Sequence, residues 1–281
     1  MLSRFLPKGF DSKEPVAIIA GKGKYPVLVY ERLKACHIPI RLIGFEGETA
    51  NSLLEKVNEE NREMVKVGQL GHLLKALKKL GAGSAIMAGQ ITPKRLFRGL
   101  ALDWKATMVL ARLKKRNAES IFGAIAEEIE KKGIAMLDAR AFLDDQLAEE
   151  RTMVGKLKVA KHYVDHGIEV AQKMAQLDIG QGIVARKGTI LAVEAYEGTD
   201  AMLKRAGEFE ASDSFFIKTA KVNQDYRFDL PVFGLNTVEV MAKAGILVAG
   251  LEAEKTIILE KDKVLEEARK QGITIFGYRV S

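Results

Sequence analysis

The feature that most constrains the fold is a strand–loop–helix–strand pattern near the start of the chain. Residues 16–23 (VAIIAGKG) begin as an apolar, β-branched run and end in Gly21-x-Gly23. A helical pattern follows, with Pro26 in its first turn, and residues 38–45 (IPIRLIGF) give a second strand. Strands that alternate with a helix in this order predict a parallel sheet.

The same pattern continues after the second strand. Residues 63–67 and 84–90 are predicted strands, and residues 69–80 form an amphipathic helix with leucines along one face. We therefore expect an α/β chain whose first domain is Rossmann-like, with a mainly parallel sheet. Its two glycine loops, the second at Gly89-Gln90, follow strand C-termini, where open α/β sheets bind ligands.

The first glycine loop does not complete a dinucleotide-binding motif. Gly21-Lys22-Gly23 lacks the third glycine of G-x-G-x-x-G because Pro26 occupies that place. Two interpretations stay open, a tight strand–helix turn and a site for a phosphate or sugar.

A basic stretch at residues 93–116 has eight Lys or Arg residues against one acid, Asp103. Aliphatic residues and two aromatics, Phe97 and Trp104, are interleaved with these charges. The pattern fits a helix that lies on an anionic membrane or contacts an acylated ligand. It equally fits a core helix with a solvated basic face. Nucleic acid is a poorer fit, because no nucleic-acid-binding motif is present.

We place the domain boundary near Gly133, which follows the predicted helix 118–132 as a C-cap. Residues 1–133 would then form the N-terminal domain and residues 134–281 a second α/β domain. The second domain contains a predicted β-hairpin, because the apolar runs 183–186 and 190–195 are separated by Lys187-Gly188.

Three acids follow this hairpin at three-residue spacing, Glu194, Glu197 and Asp200. Thr199 or Asp200 is predicted to cap a helix that begins at Ala201. Carboxylates beside a helix N-terminus suit a hard cation or a phosphate ligand held through a metal. A capped helix with solvated acids explains the pattern equally well.

A second polar cluster follows the predicted strand 215–220. It contains the cations Lys218, Lys221 and Arg227, and then Asp229, which precedes Leu230-Pro231. Such a set can hold a diphosphate through its cations and a metal or a water through its acid. For Arg227, pairing with an acid such as Glu194 is the alternative.

Composition sets the outer limits of these interpretations. The 281 residues have room for one large or two medium domains, and the net charge of +7 favours anionic partners. The single cysteine, Cys36, cannot form an internal disulfide, which fits a reducing compartment. We find no signal-peptide pattern and no apolar run long enough to cross a membrane.

Several motifs resemble one enzyme family. They are AIIAGKGKYP at 17–26, MAGQIT at 87–92, LDIGQG at 177–182, AVEAYEGTDAML at 192–203, KTAK at 218–221, and Gln224-x-x-Arg227-x-Asp229-Leu230-Pro231-x-x-Gly234. The family is the UDP-2,3-diacylglucosamine diphosphatase of lipid A synthesis that is unrelated to the calcineurin-like diphosphatases. The resemblance runs from about residue 16 to the C-terminus, and it leaves residues 1–15 unmatched.

The resemblance implies a metal-dependent hydrolase that converts UDP-2,3-diacylglucosamine to UMP and 2,3-diacylglucosamine 1-phosphate (lipid X). Its cofactor would be Mg²⁺ or Mn²⁺, and Asp229 would be the catalytic aspartate. Combined with the charges described above, this predicts Asp229 as a metal ligand, with Asp200 or Glu197 as the second ligand. The predicted substrate-binding residues are Gly21, Gly23, Gly89, Gln90, Gly198, Thr199, Lys218, Lys221 and Arg227.

The resemblance also implies where the protein works and what it meets. We expect a cytoplasmic protein, peripheral to the inner membrane, with UDP-2,3-diacylglucosamine and lipid X as ligands and no nucleic acid. A homodimer is one expected form. The 96–110 stretch is our candidate for the apolar wall that faces the acyl chains. The alternative function is a non-hydrolytic protein that binds lipid-sugar phosphates.

Overall fold

The computed structural model describes residues 2–91, 102–115, 117–209 and 213–280 of the 281-residue chain. These residues form two compact α/β units, each with its own sheet, which confirms the predicted fold class. The first unit ends at Asp144 and also includes the segment Asp225–Asp229. The second contains Asp145–Gln224 and the chain from Leu230 onward.

The first unit has a parallel sheet in the order β3-β2-β1-β4-β5, as in half of a Rossmann fold. Its strands are β1 (Val16–Ala20), β2 (Ile40–Phe45), β3 (Arg62–Val65), β4 (Ser84–Ala88) and β5 (Ala135–Met136). Residues 134–144, which we had assigned to the second domain, join the first unit because β5 pairs with β4.

Helices of the first unit are α1 (Tyr25–Ala35), α2 (Asn51–Leu54), α3 (Leu70–Lys79), α4 (Trp104–Arg112) and α5 (Ala118–Glu130), with a 3₁₀ turn at Glu59–Asn61. The leucines of α3 recur at helical spacing, and Leu73 and Leu77 pack with Ile43, Met87 and Ile129 in one buried cluster. Each fully buried leucine contributes about 2 kcal/mol, so the apolar face of α3 holds it to the sheet.

The second unit has a mixed sheet in the order β6-β13-β11-β9-β7-β8 and a small parallel pair, β10 and β12. The strands are β6 (Thr152–Val154), β7 (Gly182–Arg186), β8 (Thr189–Val193), β9 (Phe215–Lys218), β10 (Val232–Phe233), β11 (Val248–Glu252), β12 (Ile257–Ile258) and β13 (Thr274–Tyr278). The predicted hairpin is confirmed, since β7 and β8 pair across Lys187 and Gly188, both of which have positive φ.

The helices α6 (Lys161–Gln176), α7 (Thr199–Gly207), α8 (Leu235–Lys243) and α9 (Lys261–Lys270) belong to this unit, and a 3₁₀ turn spans Asp144–Gln146. Successive residues of β9 point to opposite faces of the sheet. Phe216 packs in one apolar cluster, whereas Phe215 and Ile217 pack in another. The central strand is therefore buried on both faces.

Our prediction for the start of α7 was wrong. The helix begins at Thr199 with Gly198 as its N-cap, and neither Thr199 nor Asp200 caps Ala201. The φ of Gly198 is 82°, a conformation that glycine adopts without strain. Both predicted caps instead bond to residues distant in sequence, as described below.

No helix within the described ranges is long and apolar enough to cross a membrane.

Candidate active site

The two glycine loops of the first unit lie against each other at the ends of β1 and β4. The Lys22 amide donates to the Gln90 carbonyl at 2.7 Å, and the Gln90 amide donates back at 3.2 Å. A Cβ on Gly21 would lie 2.5 Å from the Gln90 carbonyl oxygen, and one on Gly89 would lie 2.5 Å from that of Lys22. Gly21 and Gly89 are therefore required for the packing of the two loops.

Gly23 differs from its neighbours. Its φ is +94°, and a Cβ there would meet no atom within 4 Å. Backbone conformation alone accounts for this glycine, and the space beside it is open. The structure thus brings Gly21, Gly23, Gly89 and Gln90 to one edge of the first sheet, as predicted from the loops that follow β1 and β4.

An apolar cavity of about 110 Å³, which opens to solvent, lies beside these loops within the first unit. It includes Gly21 and Gly89 in its wall, and α4 and α5 contribute apolar side chains: Ala106, Val109, Leu110, Ile121, Phe122 and Ile125. The described part of the predicted acyl-facing stretch therefore lines a cavity. Residues 92–101 and 116 lie outside the described ranges.

One cation of the basic stretch is paired with an acid, whereas others are exposed. The Lys105 ammonium contacts the Glu128 carboxylate at 2.5 Å. By contrast, Arg112, Lys114 and Lys115 are exposed, and 77% of the Trp104 surface is accessible.

Arg227 lies in the segment Asp225–Asp229 of the first unit and pairs with two acids. Its Nη2 lies 2.7 Å from Asp225 Oδ2, and its Nη1 lies 2.8 Å from Glu130 Oε2. The hydrogen bond from Arg227 lowers the pKa of Asp225. From the sequence, pairing with an acid was the alternative to diphosphate binding by Arg227. The structure shows such pairing, with Asp225 and Glu130 as the partners in place of Glu194.

Asp229 ends the same segment and is partly exposed. Its amide donates to the Asp225 carbonyl at 3.0 Å, so residues 225–229 form one hydrogen-bonded turn. The neighbouring Phe228 ring lies 6.1 Å from the Phe122 ring, centroid to centroid. The structure thus anchors this turn on α5 of the first unit.

In the second unit, Lys218, Thr199 and Glu194 form a buried polar network. Lys218 Nζ donates to Thr199 Oγ1 at 2.9 Å, and that hydroxyl donates to Glu194 Oε1 at 2.7 Å. Lys218 Nζ also lies 3.8 Å from Glu194 Oε2. Thr199 and Lys218 are among the substrate-binding residues predicted from the sequence, whereas Glu194 is not, and its spacing with the other two acids is the only signal that pointed to it.

The three acids after the hairpin, Glu194, Glu197 and Asp200, each have a different partner. Glu197 pairs with Arg205 at 2.7 Å, and this hydrogen bond lowers its pKa. Asp200 accepts hydrogen bonds from Asn236 Nδ2 and, at 3.4 Å, from Thr237 Oγ1. Among the described residues no three His, Cys, Asp or Glu side chains group as a metal site.

The N-caps of the last two helices are likewise not side-chain caps. Gly234 and Glu260 occupy the N-cap positions of α8 and α9. Thr237 turns its hydroxyl toward Asp200 on another helix, a partner that local spacing does not reveal.

A buried acid that the sequence did not reveal, Glu252, shapes the loop after β9. Its Oε2 accepts from Thr219 Oγ1 at 2.5 Å and from the Ala220 amide at 2.7 Å, while Oε1 pairs with Lys255. Only 2% of Glu252 is exposed. Glu252 therefore fixes the backbone between Lys218 and Lys221.

Lys221 contacts Asp178 Oδ1 at 2.5 Å, and its amide donates to Gln224 Oε1 at 2.8 Å. The structure thus places Gly198, Thr199, Lys218 and Lys221 in the second unit, and Arg227 and Asp229 in the first.

Comparison with known proteins gives matches along nearly the whole chain. The family model for the LpxI N-terminal domain matches residues 15–146, and that for the LpxI C-terminal domain matches residues 151–276. The UDP-2,3-diacylglucosamine pyrophosphatase LpxI of Caulobacter vibrioides is 28% identical over 276 residues, which cover 93% of this chain and 96% of that protein.

Among solved structures, N5-carboxyaminoimidazole synthase from Aspergillus clavatus overlaps with 63% of this chain and 39% of its own, at 14% identity and a TM-score of 0.23. That overlap is too low to bear on fold or function. The family models, in contrast, match in chain order and account for both units. This chain belongs to the LpxI family.

Proposed function

We propose that this protein hydrolyses the diphosphate of UDP-2,3-diacylglucosamine, giving UMP and lipid X for lipid A biosynthesis. The observation that carries the proposal is the full-length similarity to a protein named for that pyrophosphatase activity. Both domains of the family are matched, and the residues that we assign to the reaction lie within the matched ranges.

Lys218 and Lys221 would bind the diphosphate. Charge accumulates on phosphoryl oxygens during hydrolysis, and a cation shielded from water stabilises that charge most effectively. The Lys218 side chain is only 7% exposed and is aligned by Thr199 and Glu194. The free amides at the start of α7, beside Gly198 and Thr199, supply further donors for a phosphate.

Asp229 would orient the attacking water and serve as a ligand of Mg²⁺ or Mn²⁺. Mg²⁺ is typically held by one or two carboxylates together with phosphate oxygens and waters, so a protein site of three acids is not required. Within the second unit, Asp200 is the better candidate for a carboxylate ligand, because its contacts are to the neutral groups of Asn236 and Thr237. Glu197 fits less well, because Arg205 already compensates its charge.

When bound, the metal would neutralise charge on the diphosphate and polarise one phosphoryl group. Arg227 would contribute by holding the turn that carries Asp229, through Asp225 and Glu130. Its role as a direct phosphate ligand stays a prediction.

The apolar cavity of the first unit would take an acyl chain of the substrate. Its wall is formed mainly by aliphatic and aromatic side chains, which suits hydrocarbon. Exposed Trp104 and the cations at the end of α4 would attach the protein to the cytoplasmic face of the inner membrane. A second copy of the chain as a partner stays a prediction that sedimentation equilibrium tests.

The direct test is product analysis with purified protein, UDP-2,3-diacylglucosamine and Mg²⁺. We expect UMP and lipid X in equal amounts, loss of turnover with EDTA, and recovery when Mg²⁺ or Mn²⁺ is added in excess. Binding of lipid X without any release of UMP would instead support the non-hydrolytic alternative. Turnover that persists in EDTA would exclude the role of a loosely bound metal.

A further inference from the structure

We propose that residues 2–14, called here the N-terminal strap, position the turn that carries Asp229. The inference rests on the proposed function only in giving Asp229 a catalytic role. The strap precedes residue 15, where the match to the LpxI N-terminal domain begins. It is therefore a feature of this chain that the family match does not assign.

The contact that links the strap to the turn runs through Arg140. The Cζ atom of Arg140 lies 4.3 Å from the centroid of the Phe5 ring and 3.7 Å from that of the Tyr226 ring. Both distances are within the range of a cation–π interaction. Phe5 belongs to the strap, and Tyr226 belongs to the turn at 225–229.

The guanidinium of Arg140 is fixed in place by Asp138. Its Nη2 lies 2.6 Å from Asp138 Oδ2, and its Nε lies 3.0 Å from Asp138 Oδ1. This bidentate pair sets the plane of the cation, so the two rings that lie over it are also constrained.

Tyr226 is held at a second point, because its carbonyl accepts a hydrogen bond from the Ala139 amide at 2.7 Å. Asp229 follows three residues later, and its amide bonds to the Asp225 carbonyl within the same turn. A shift of the Tyr226 ring would therefore be transmitted to the Asp229 carboxylate through a single turn of backbone.

The strap itself is attached at both sides of Phe5. Arg4 Nε lies 3.6 Å from Asp144 Oδ1, and the Phe10 ring meets the Phe142 ring edge-on at 6.1 Å. Arg140, Phe142 and Asp144 belong to one short stretch of the first unit. Phe5 is thus held over Arg140 by neighbouring contacts on that stretch.

The test compares Phe5→Leu, which keeps apolar bulk but removes the ring, with Phe5→Tyr, which keeps the ring. Because misplacement of a catalytic group lowers turnover more than binding, we expect roughly tenfold lower kcat in Phe5→Leu with KM within about twofold. Phe5→Tyr should restore kcat. In an Arg140→Met background, which removes the cation, Phe5→Leu should cause no further loss, since both changes break the same contact.

A second readout does not depend on turnover. Hydrogen–deuterium exchange of a peptide that spans residues 225–229 should be faster in Phe5→Leu than in wild type, and unchanged in Lys8→Ala, which changes an exposed strap side chain that the attachment does not use. If wild type releases no UMP but the exchange differs as expected, the proposed function fails and the strap stands. Unchanged exchange and unchanged kcat in a folded Phe5→Leu protein would overturn the inference.

Discussion

The Lys218 ammonium donates a hydrogen bond to the Thr199 hydroxyl at 2.9 Å, which joins the end of β9 to the first residue of α7. The hydroxyl in turn donates a hydrogen bond to the Glu194 carboxylate, so the lysine, threonine and glutamate form one hydrogen-bonded chain. This arrangement holds a buried cation beside a helix N-terminus. A phosphate there would be stabilised both by the charge of Lys218 and by the backbone amides at the start of α7.

Lys218→Met should lower kcat/KM for UMP release by about 100-fold or more, because no other group replaces the buried charge. It should also lower the melting temperature, since Glu194 would then lack its cation. Adding Glu194→Gln to Lys218→Met should recover the melting temperature but not the activity. Recovery of activity in the double variant would contradict a role for Lys218 in binding the diphosphate.

Glu252→Ala should destabilise the protein by about 2–4 kcal/mol, because the Thr219 hydroxyl and the Ala220 amide would lose their buried acceptor. Urea denaturation measures this change. Glu266→Ala, at an exposed acid paired with Lys270, is the matched control and should stay within about 1 kcal/mol of wild type. Equal effects from the two variants would show that Glu252 does not hold the loop.

The stability of the second unit should depend on pH through Glu149. Hydrogen bonds from Arg151 and Lys261 lower the pKa of Glu149 to about 2. An acid with a lowered folded-state pKa stabilises the fold above its unfolded value near 4.5, and this contribution is lost as pH falls toward 2. The difference in melting temperature between wild type and Glu149→Gln should therefore be largest at neutral pH and vanish near pH 2. A difference that does not change with pH would contradict this assignment.

Membrane attachment should depend on the end of α4. Reversing charge at Arg112, Lys114 and Lys115 should weaken binding to anionic vesicles by about 100-fold or more, since each cation contributes about 1 kcal/mol near such a surface. The variant Lys34→Glu/Lys204→Glu/Lys243→Glu has the same net charge change at other exposed positions. Vesicle sedimentation with both variants separates local attachment from net charge. An equal loss of vesicle binding in the two variants would show that α4 is a solvated helix and does not attach the protein to the membrane.

The sequence revealed the first unit well because its signals are local. Buried strands, glycine loops and the leucine face of α3 repeat at periods that backbone geometry dictates. The wrong predictions concern side chains whose partners are distant in sequence. Thr199 bonds to Lys218 on β9, and Asp200 bonds to Asn236 on α8, and neither caps a helix at Ala201.

The candidate site was only partly accessible to sequence reasoning for the same reason. Lys218 and Thr199 could be selected because charged and polar residues follow predicted strands. The role of Glu252 could not be predicted from the sequence. A single acid at the end of an apolar strand gives no indication that it accepts hydrogen bonds from residues 219 and 220. Nor could the pattern show that residues 225–229 join the first unit, since their contacts with Glu130, Ala139 and Phe122 span about a hundred residues of chain.

The most direct test of the central claim is UMP release by Asp229→Asn, a change that keeps the shape of the side chain but removes its charge. We expect kcat to fall by about 1000-fold or more, because an amide neither binds Mg²⁺ well nor orients a water as a carboxylate does. Asp213→Asn, at an exposed acid paired with Lys187, should retain wild-type turnover. Lipid X binding by Asp229→Asn should persist, which would show that the pocket is intact. Turnover within about tenfold of wild type in Asp229→Asn would contradict the assignment of Asp229 to the reaction.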